Sequence, residues 1–160
     1  MKLVMVLFAV MCASTIAVGQ GIAESSVKEA TMTARGTFDV KLAPQPADST
    51  GGPFARLLVD KQFHGDLEAT SKGQMLGAFT AVEGSGAYVA LEMVTGVLNG
   101  KPGSFILQHK GTMQKGVYAM DVTVVPDSGT EQLTGIAGAM KIIIEGNKHS
   151  YEFEYTLGGQ

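Results

Sequence analysis

Two ionisable residues are set among apolar neighbours in alternating segments of this 160-residue chain: Glu92 within 87–98 and His109 within 104–113. A carboxyl group in an apolar cavity is expected to have a raised pKa, and an imidazole beside it exchanges protons near neutral pH. Isomerisation or cyclisation of a small substrate requires such a pair, so we predict Glu92 and His109 as the catalytic acid and base. The structural alternative is an internal ion pair and a hydrogen-bonded strand histidine.

Three further residues are candidate ligand-binding groups. Lys61 has the same sequence parity as the apolar residues around it, so we expect it to pair with Glu92 or to hold an anionic head group. Tyr155, together with Tyr151, is expected to orient an oxygen atom of the ligand. The alternative for both tyrosines is core packing, because aromatic residues at period two are common in strands.

Other chemistries lack the residues they need. The three histidines are far apart in the chain and have no ligand-like spacing, so no metal site is expected. The chain has no Gly-x-Ser-x-Gly segment and no phosphate-binding glycine loop before a helix, so we expect neither a hydrolase elbow nor a cofactor. His64 and His149 are predicted to be surface or turn residues.

Apolar and polar residues alternate through most of the chain from Glu29 onward. Period two predicts half-buried strands, and the glycine-rich and proline-rich segments between them predict turns. Segment 44–53, with three prolines, is predicted to be a loop. The predicted strands are 29–42, 55–70 with a bulge at Gly65, 74–82 after a turn at 71–73, 87–98, 104–113, 117–125, 139–145 and 149–157.

Eight strands with no amphipathic helix to cover a sheet predict an all-β fold. Closure into an antiparallel barrel removes the exposed strand edges, which favours a closed eight-stranded barrel over a sandwich. The interior of such a barrel accommodates packed side chains or one small ligand.

Four segments resemble those of a known family. They are Lys61–Leu67, Gly103–Gly111, Pro126–Gly138 and His149–Leu157. In this order and spacing they are similar to the bacterial domain-of-unknown-function family 3224, over about 31–157. The resemblance implies an allene oxide cyclase-like barrel, and it implies no function, because a shared fold licenses only analogy.

The N-terminal segment predicts export. Lys2 precedes an apolar run at 3–18 that is too short for a comfortable membrane span of ~20 residues. Cleavage fits after Gly19 or after Ala23, and an uncleaved anchor is the alternative. We therefore predict a signal peptide at 1–19, a flexible mature N-terminus at 20–28 and one β-barrel domain at 29–160, in a periplasmic or secreted protein. The only cysteine, Cys12, lies in the predicted signal.

Charged residues make up only 17% of the chain and the net charge is −3, so neither nucleic acid nor a membrane surface is expected as a partner of the mature chain. Our first hypothesis is a barrel that binds a small lipophilic molecule in its interior. The second is an isomerase or cyclase that uses the same cavity, and the third is a structural oligomeric barrel. Such barrels commonly dimerise, so a homodimer is also expected, although no segment marks an interface.

Overall fold

The structure, a computed structural model, describes residues 30–46 and 52–158. The predicted signal peptide and the predicted flexible N-terminus therefore lie outside the described residues. The described chain forms eight strands and one short 3₁₀ helix at Glu131–Leu133. The strands are β1 (Met32–Pro44), β2 (Phe54–Gly65), β3 (Leu67–Phe79), β4 (Gly86–Leu98), β5 (Lys101–Gln114), β6 (Val117–Val124), β7 (Ile136–Glu145) and β8 (Lys148–Leu157).

Each strand pairs antiparallel with the next, and β1 pairs with β8, so the sheet closes on itself. This confirms the predicted all-β, closed, antiparallel eight-stranded barrel. Period-two alternation determines which side chains enter the barrel, because successive side chains of a strand point to opposite faces. Within the described ranges, no helix has the length and apolar character needed to cross a membrane.

The chain reverses between β2 and β3 earlier than predicted. The predicted strand 55–70 is wrong: β2 ends at Gly65, and the predicted turn at 71–73 lies inside β3. Gly65 has a φ of 107° and packs against Gly36, where a Cβ would lie 2.9 Å from the Gly36 Cα atom. Because Phe63 and Leu67 both face inward on either side of this reversal, the alternation continues through it and conceals the turn.

One end of the barrel is filled with large side chains. They are completely or almost completely buried, and the 3₁₀ helix adds Leu133 to them. The largest are Tyr151, Tyr155, Phe63, Phe105, Phe153, Leu67 and Leu98. Space inside the barrel is therefore confined to the opposite end, where β1 ends and β2 begins.

The seam between β6 and β7 is the least paired part of the barrel. Within these two strands Thr123 and Ala139 form the one register pair, whereas β7 and β8 pair along ten residues each. A crevice of about 350 Å³ lies along the seam, beside Asp121 and Lys141. Backbone groups of β6 that point toward β7 consequently lack strand partners beyond this pair.

Candidate functional site

Glu92 is the centre of a buried polar cluster inside the barrel. Its Oε1 atom accepts hydrogen bonds from Lys61 Nζ at 2.8 Å and from His109 Nε2 at 2.9 Å. Its Oε2 atom accepts one from Ser71 Oγ at 3.0 Å. All four residues are at most 7% exposed. The predicted pairing of Lys61 with Glu92 is thus present, and Ser71, which the sequence analysis missed, is a fourth member.

Four neighbouring strands supply this cluster. Lys61 lies on β2, Ser71 on β3, Glu92 on β4 and His109 on β5. The close approach of β3 to β4 depends on Gly73, the register partner of Glu92, because a Cβ on Gly73 would lie 2.6 Å from the Glu92 Cβ. Glycine inside a strand commonly marks such a close approach.

The predicted direction of the Glu92 pKa shift is wrong. Burial raises the pKa of this carboxyl group, but the hydrogen bond from His109 and the positive charge of Lys61 outweigh burial and lower the pKa from 4.5 to about 2. Glu92 is therefore ionised at neutral pH. An ionised carboxylate carries no proton to give, so this ionisation disfavours Glu92 as the general acid, while its catalytic role stays a prediction.

His109 consequently donates its Nε2 hydrogen to Glu92, since an ionised carboxylate only accepts hydrogen bonds. Its other ring nitrogen, Nδ1, has no hydrogen-bond partner among the described residues, and His109 borders the interior cavity. A carboxylate that holds one ring nitrogen fixes the orientation of the imidazole and leaves the other nitrogen available for chemistry.

Lys61 stacks against two aromatic rings as well as pairing with Glu92. Its Nζ atom lies 5.1 Å from the centroid of the Phe38 ring and 5.7 Å from that of Phe63. These faces attract the ammonium group and cover part of its stem. Of its three N–H groups, one is committed to Glu92, which leaves donors for an acceptor atom in the cavity.

The polar cluster forms one wall of a cavity of about 140 Å³ inside the barrel. The rest of the lining is mainly apolar, and includes Val40, Val59, Met75, Ala90, Met120 and Ile142. A second hollow of about 420 Å³ lies at the open end, and Leu42, Met75 and Tyr88 line both. The two hollows therefore lie next to each other, and we call them together the apolar mouth, with the polar groups at its inner end.

One aromatic residue of this mouth, His149, lies elsewhere than the sequence predicted. His149, predicted to be a surface or turn residue, lines the cavity, and its ring centroid lies 5.2 Å from that of Phe38. The prediction failed because His149 is the second residue of β8, where its parity directs it inward. His64, in contrast, has a side chain 48% exposed beside Asp39, as predicted.

Tyr88 lies across the inner surface of β5. Its register partner there is Gly111, and a Cβ on Gly111 would overlap the Tyr88 ring. Burial, the negative charge of Glu92 and nearby Tyr118 raise the pKa of Tyr88 above its usual 10.0. The Tyr88 hydroxyl therefore stays protonated at the inner end of the mouth.

The structure places the two predicted ligand-binding tyrosines outside the cavity lining. The Tyr155 hydroxyl accepts a hydrogen bond from Asn99 Nδ2 at 3.0 Å, and both tyrosines are 1% exposed. The Tyr151 hydroxyl accepts from the Leu67 backbone N–H at 3.0 Å and donates to the His64 carbonyl. Their hydroxyls thus bond to the protein's own groups at the packed side of the barrel, as the core-packing alternative expected.

Among residues 30–46 and 52–158, no group of three or more histidine, cysteine, aspartate or glutamate side chains is arranged to hold a metal ion. The cluster combines one carboxylate, one ammonium group and one imidazole at the inner end of an apolar mouth. It is suited to orient a polar atom of a guest molecule or to move a proton at the imidazole.

Comparison with known proteins gives the family. No curated protein matches the chain. A crystal structure of a protein of unknown function of the DUF3224 family from Shewanella oneidensis MR-1 is similar: the two chains are 47% identical, and the match covers 82% of this chain and 100% of that one, with a TM-score of 0.77. The family model described as "Protein of unknown function (DUF3224)" matches residues 34–155, so this chain belongs to the DUF3224 family.

Proposed function

We propose that this protein binds a small lipophilic molecule in the open half of its barrel. The observation that carries the proposal is the apolar mouth, about 420 Å³ at the open end and about 140 Å³ at its inner end, with Lys61, Glu92 and His109 at the bottom. Binding sites for small molecules are concave and mainly apolar, with a few placed polar groups that set orientation. The packed opposite end supports the same conclusion, because it limits the guest to this half.

The polar groups at the inner end of the mouth indicate which hydrogen-bonding group the guest carries. Glu92 already accepts three hydrogen bonds, whereas Lys61 has N–H groups left over and His109 has a free ring nitrogen. A guest with an oxygen acceptor at one end, such as a carbonyl or carboxylate, complements the N–H groups of Lys61, whereas the unprotonated Nδ1 atom of His109 accepts a hydrogen bond. Its apolar body would contact Val40, Met75 and the other lining side chains.

Displacement of a lipophilic dye tests the proposal. We expect N-phenyl-1-naphthylamine to show saturable fluorescence enhancement with the folded protein. Ala90→Leu adds volume to the cavity wall and should weaken the dye's affinity at least tenfold, whereas Ala119→Leu makes the same change on the exposed outer side of β6 and should leave affinity unchanged. Absence of saturable binding, or equal binding by both variants, contradicts the proposal and favours the structural barrel.

Mass spectrometry of the purified protein provides an independent test of the guest. Spectra under native and denaturing conditions, followed by solvent extraction, should reveal a bound molecule with one oxygen-bearing end. The Ala90→Leu protein should carry less of it than the Ala119→Leu protein.

A second candidate function is supported by the free Nδ1 atom of His109. In this proposal the protein is an isomerase or cyclase whose general base is His109, and Glu92 orients the imidazole instead of serving as the acid. The Tyr88 hydroxyl, which stays protonated, is available as a donor at the same end of the mouth.

The isomerisation of 3-cyclohexen-1-one to its conjugated isomer, followed by ultraviolet absorbance, is a suitable probe of proton transfer. The protein should accelerate it over buffer, His109→Gln should remove the acceleration, and Glu92→Gln should reduce it. Rates equal to those of buffer, or an unaffected His109→Gln variant, contradict the enzyme proposal and leave the binding proposal intact.

We also propose that the barrel is allene oxide cyclase-like and that the protein is exported. The first is supported by the closed eight-stranded barrel together with the sequence resemblance, and the second by the apolar run after Lys2. N-terminal sequencing of protein recovered from the periplasm or medium should give a start at Gln20 or at Glu24. Recovery of the intact N-terminus in the cytoplasm contradicts export.

A further inference from the structure

The outer side of β4 differs from the outer side of an ordinary soluble barrel. All six of its outward residues between 87 and 97 are exposed and uncharged: Ala87, Val89, Leu91, Met93, Thr95 and Val97. Strands that face water on one side normally carry polar residues there. We call these six residues the outer β4 face.

Neighbouring strands extend this apolar surface. Leu76 on β3 is the register partner of Val89, and Ile106 on β5 is the partner of Met93. Leu76, Val89, Leu91 and Met93 are 43–56% exposed. A shallow groove of about 930 Å³ runs over this surface between Arg56 and Gln108. A contiguous exposed apolar surface of this kind is typical of protein contact sites.

We propose that the outer β4 face is part of the interface of a symmetric homodimer, in which β2, β3 and β4 pack on the same three strands of the second copy, with β3 at the centre and each strand antiparallel to its counterpart. The two-fold axis lies along the row formed by Leu58, Gln74 and Leu91, which the strand register places side by side. The proposal concerns the outside of the barrel and is independent of what the interior binds.

The positions of opposite charges favour a second copy of this chain as the binding partner, and they favour this alignment of the two copies. The register places Arg56 in the row of Leu76 and Val89, and it places Asp60 in the row of Lys72 and Met93. The two-fold axis lies along the row between them. Rotation about it places the row of Arg56 in one copy against the row of Asp60 in the other copy. Arg56 then lies opposite Asp60 of the partner subunit, twice in each dimer. Asp60 also pairs with Lys72 of its own chain at 3.3 Å, so the carboxylate lies between two cations, and the two lysine side chains at position 72 do not face each other.

The size of the face is that of a small specific interface. Ten residue steps along β4 span about 33 Å, and three strands with their side chains are about 15 Å wide, which gives about 500 Å² per copy. The total of about 1,000 Å² lies at the lower limit for specific association. Dimerisation is therefore expected at micromolar to submillimolar protein concentration.

Sedimentation velocity of the purified chain between about 5 and 500 µM tests the proposal. The wild type should shift from monomer to dimer, and Leu91→Lys should weaken association at least tenfold. Val117→Lys, which places the same charge at a 73% exposed site on β6, should behave as the wild type. A wild-type protein that is monomeric throughout, or a Leu91→Lys protein that dimerises normally, overturns the proposal.

A charge-reversal experiment tests the alignment. Arg56→Asp alone and Asp60→Arg alone should each weaken self-association at least tenfold, because each variant places like charges opposite each other. An equimolar mixture of the two variants should recover dimers, since each copy then meets the opposite charge. A mixture that stays as monomeric as the single variants overturns the antiparallel alignment.

Discussion

Replacement of Glu92 by glutamine should destabilise the protein in a strongly pH-dependent way. Glu92 is 2% exposed, and its pKa is about 2 in the folded protein, against an ordinary value of 4.5. Each unit of such a difference corresponds to about 1.4 kcal/mol, so the ionised carboxylate contributes about 3 kcal/mol to folding at pH 7. A loss of this size also agrees with the ~3–5 kcal/mol expected when one partner of a buried ion pair is removed.

The sign of the pH dependence follows from the lowered pKa. Folding favours the ionised form, so the contribution of Glu92 is complete above about pH 4.5 and is lost as the pH falls toward 2. Glutamine resembles the protonated acid and has no such titration. The free energy of unfolding of the wild type should therefore exceed that of Glu92→Gln by about 3 kcal/mol at pH 7, and the two should converge near pH 2.

Urea denaturation followed by circular dichroism at pH 7, 4.5, 3 and 2 measures this difference directly. Glu154→Gln is the matched control, because Glu154 is an exposed residue on the outer side of β8. It should change the free energy of unfolding by less than about 0.5 kcal/mol. A wild-type advantage below about 1 kcal/mol at pH 7, or one that stays constant down to pH 2, would refute the assignment of Glu92 as a buried, ionised group.

Two further predictions concern the barrel wall. Gly111→Ala should lower the free energy of unfolding by about 1–3 kcal/mol, because the new methyl group overlaps the Tyr88 ring. Gly77→Ala on β3, whose Cβ would lie no closer than 3.6 Å to any neighbour, should be neutral or slightly stabilising, and equal losses in the two variants would contradict this reasoning. In amide hydrogen exchange, every second amide of 117–122 should exchange faster than the amides of β5, because those groups point toward β7 without a strand partner. Uniform protection along β6 would show that the seam is closed in solution.

Local pattern was sufficient for the barrel class and for the inward direction of the central site residues. Alternation at period two is a property of each strand by itself, so the inward positions of Lys61, Glu92 and His109 followed from parity without knowledge of their neighbours. A turn was also predicted between the strands at 87–98 and 104–113. Asn99 and Gly100 adopt the positive φ values that a tight hairpin needs, and β5 begins directly after them at Lys101, three residues earlier than predicted.

The same pattern misled where the chain reverses without a change of parity. The turn at Gly65 joins two strands whose inward residues keep one continuous alternation, so sequence periodicity does not distinguish it from a bulge. The inward position of His149 was missed for a related reason. Its parity is that of Tyr151 and Phe153, but it is the first residue of the predicted strand 149–157, and strand ends are the least certain feature of a periodic pattern.

The chemistry of the site was decided only when the strands came together. Lys61 and Glu92 are 31 residues apart, and curvature of the closed sheet brings their side chains to 2.8 Å. That contact and the one to His109 outweigh the effect of burial and lower the Glu92 pKa. The tyrosine hydroxyls form hydrogen bonds with Asn99 and with backbone groups. The sequence determines which residues point inward, because side-chain direction is local. Which of them meet, and which proton each holds, depends on distances between strands that only the closed barrel sets.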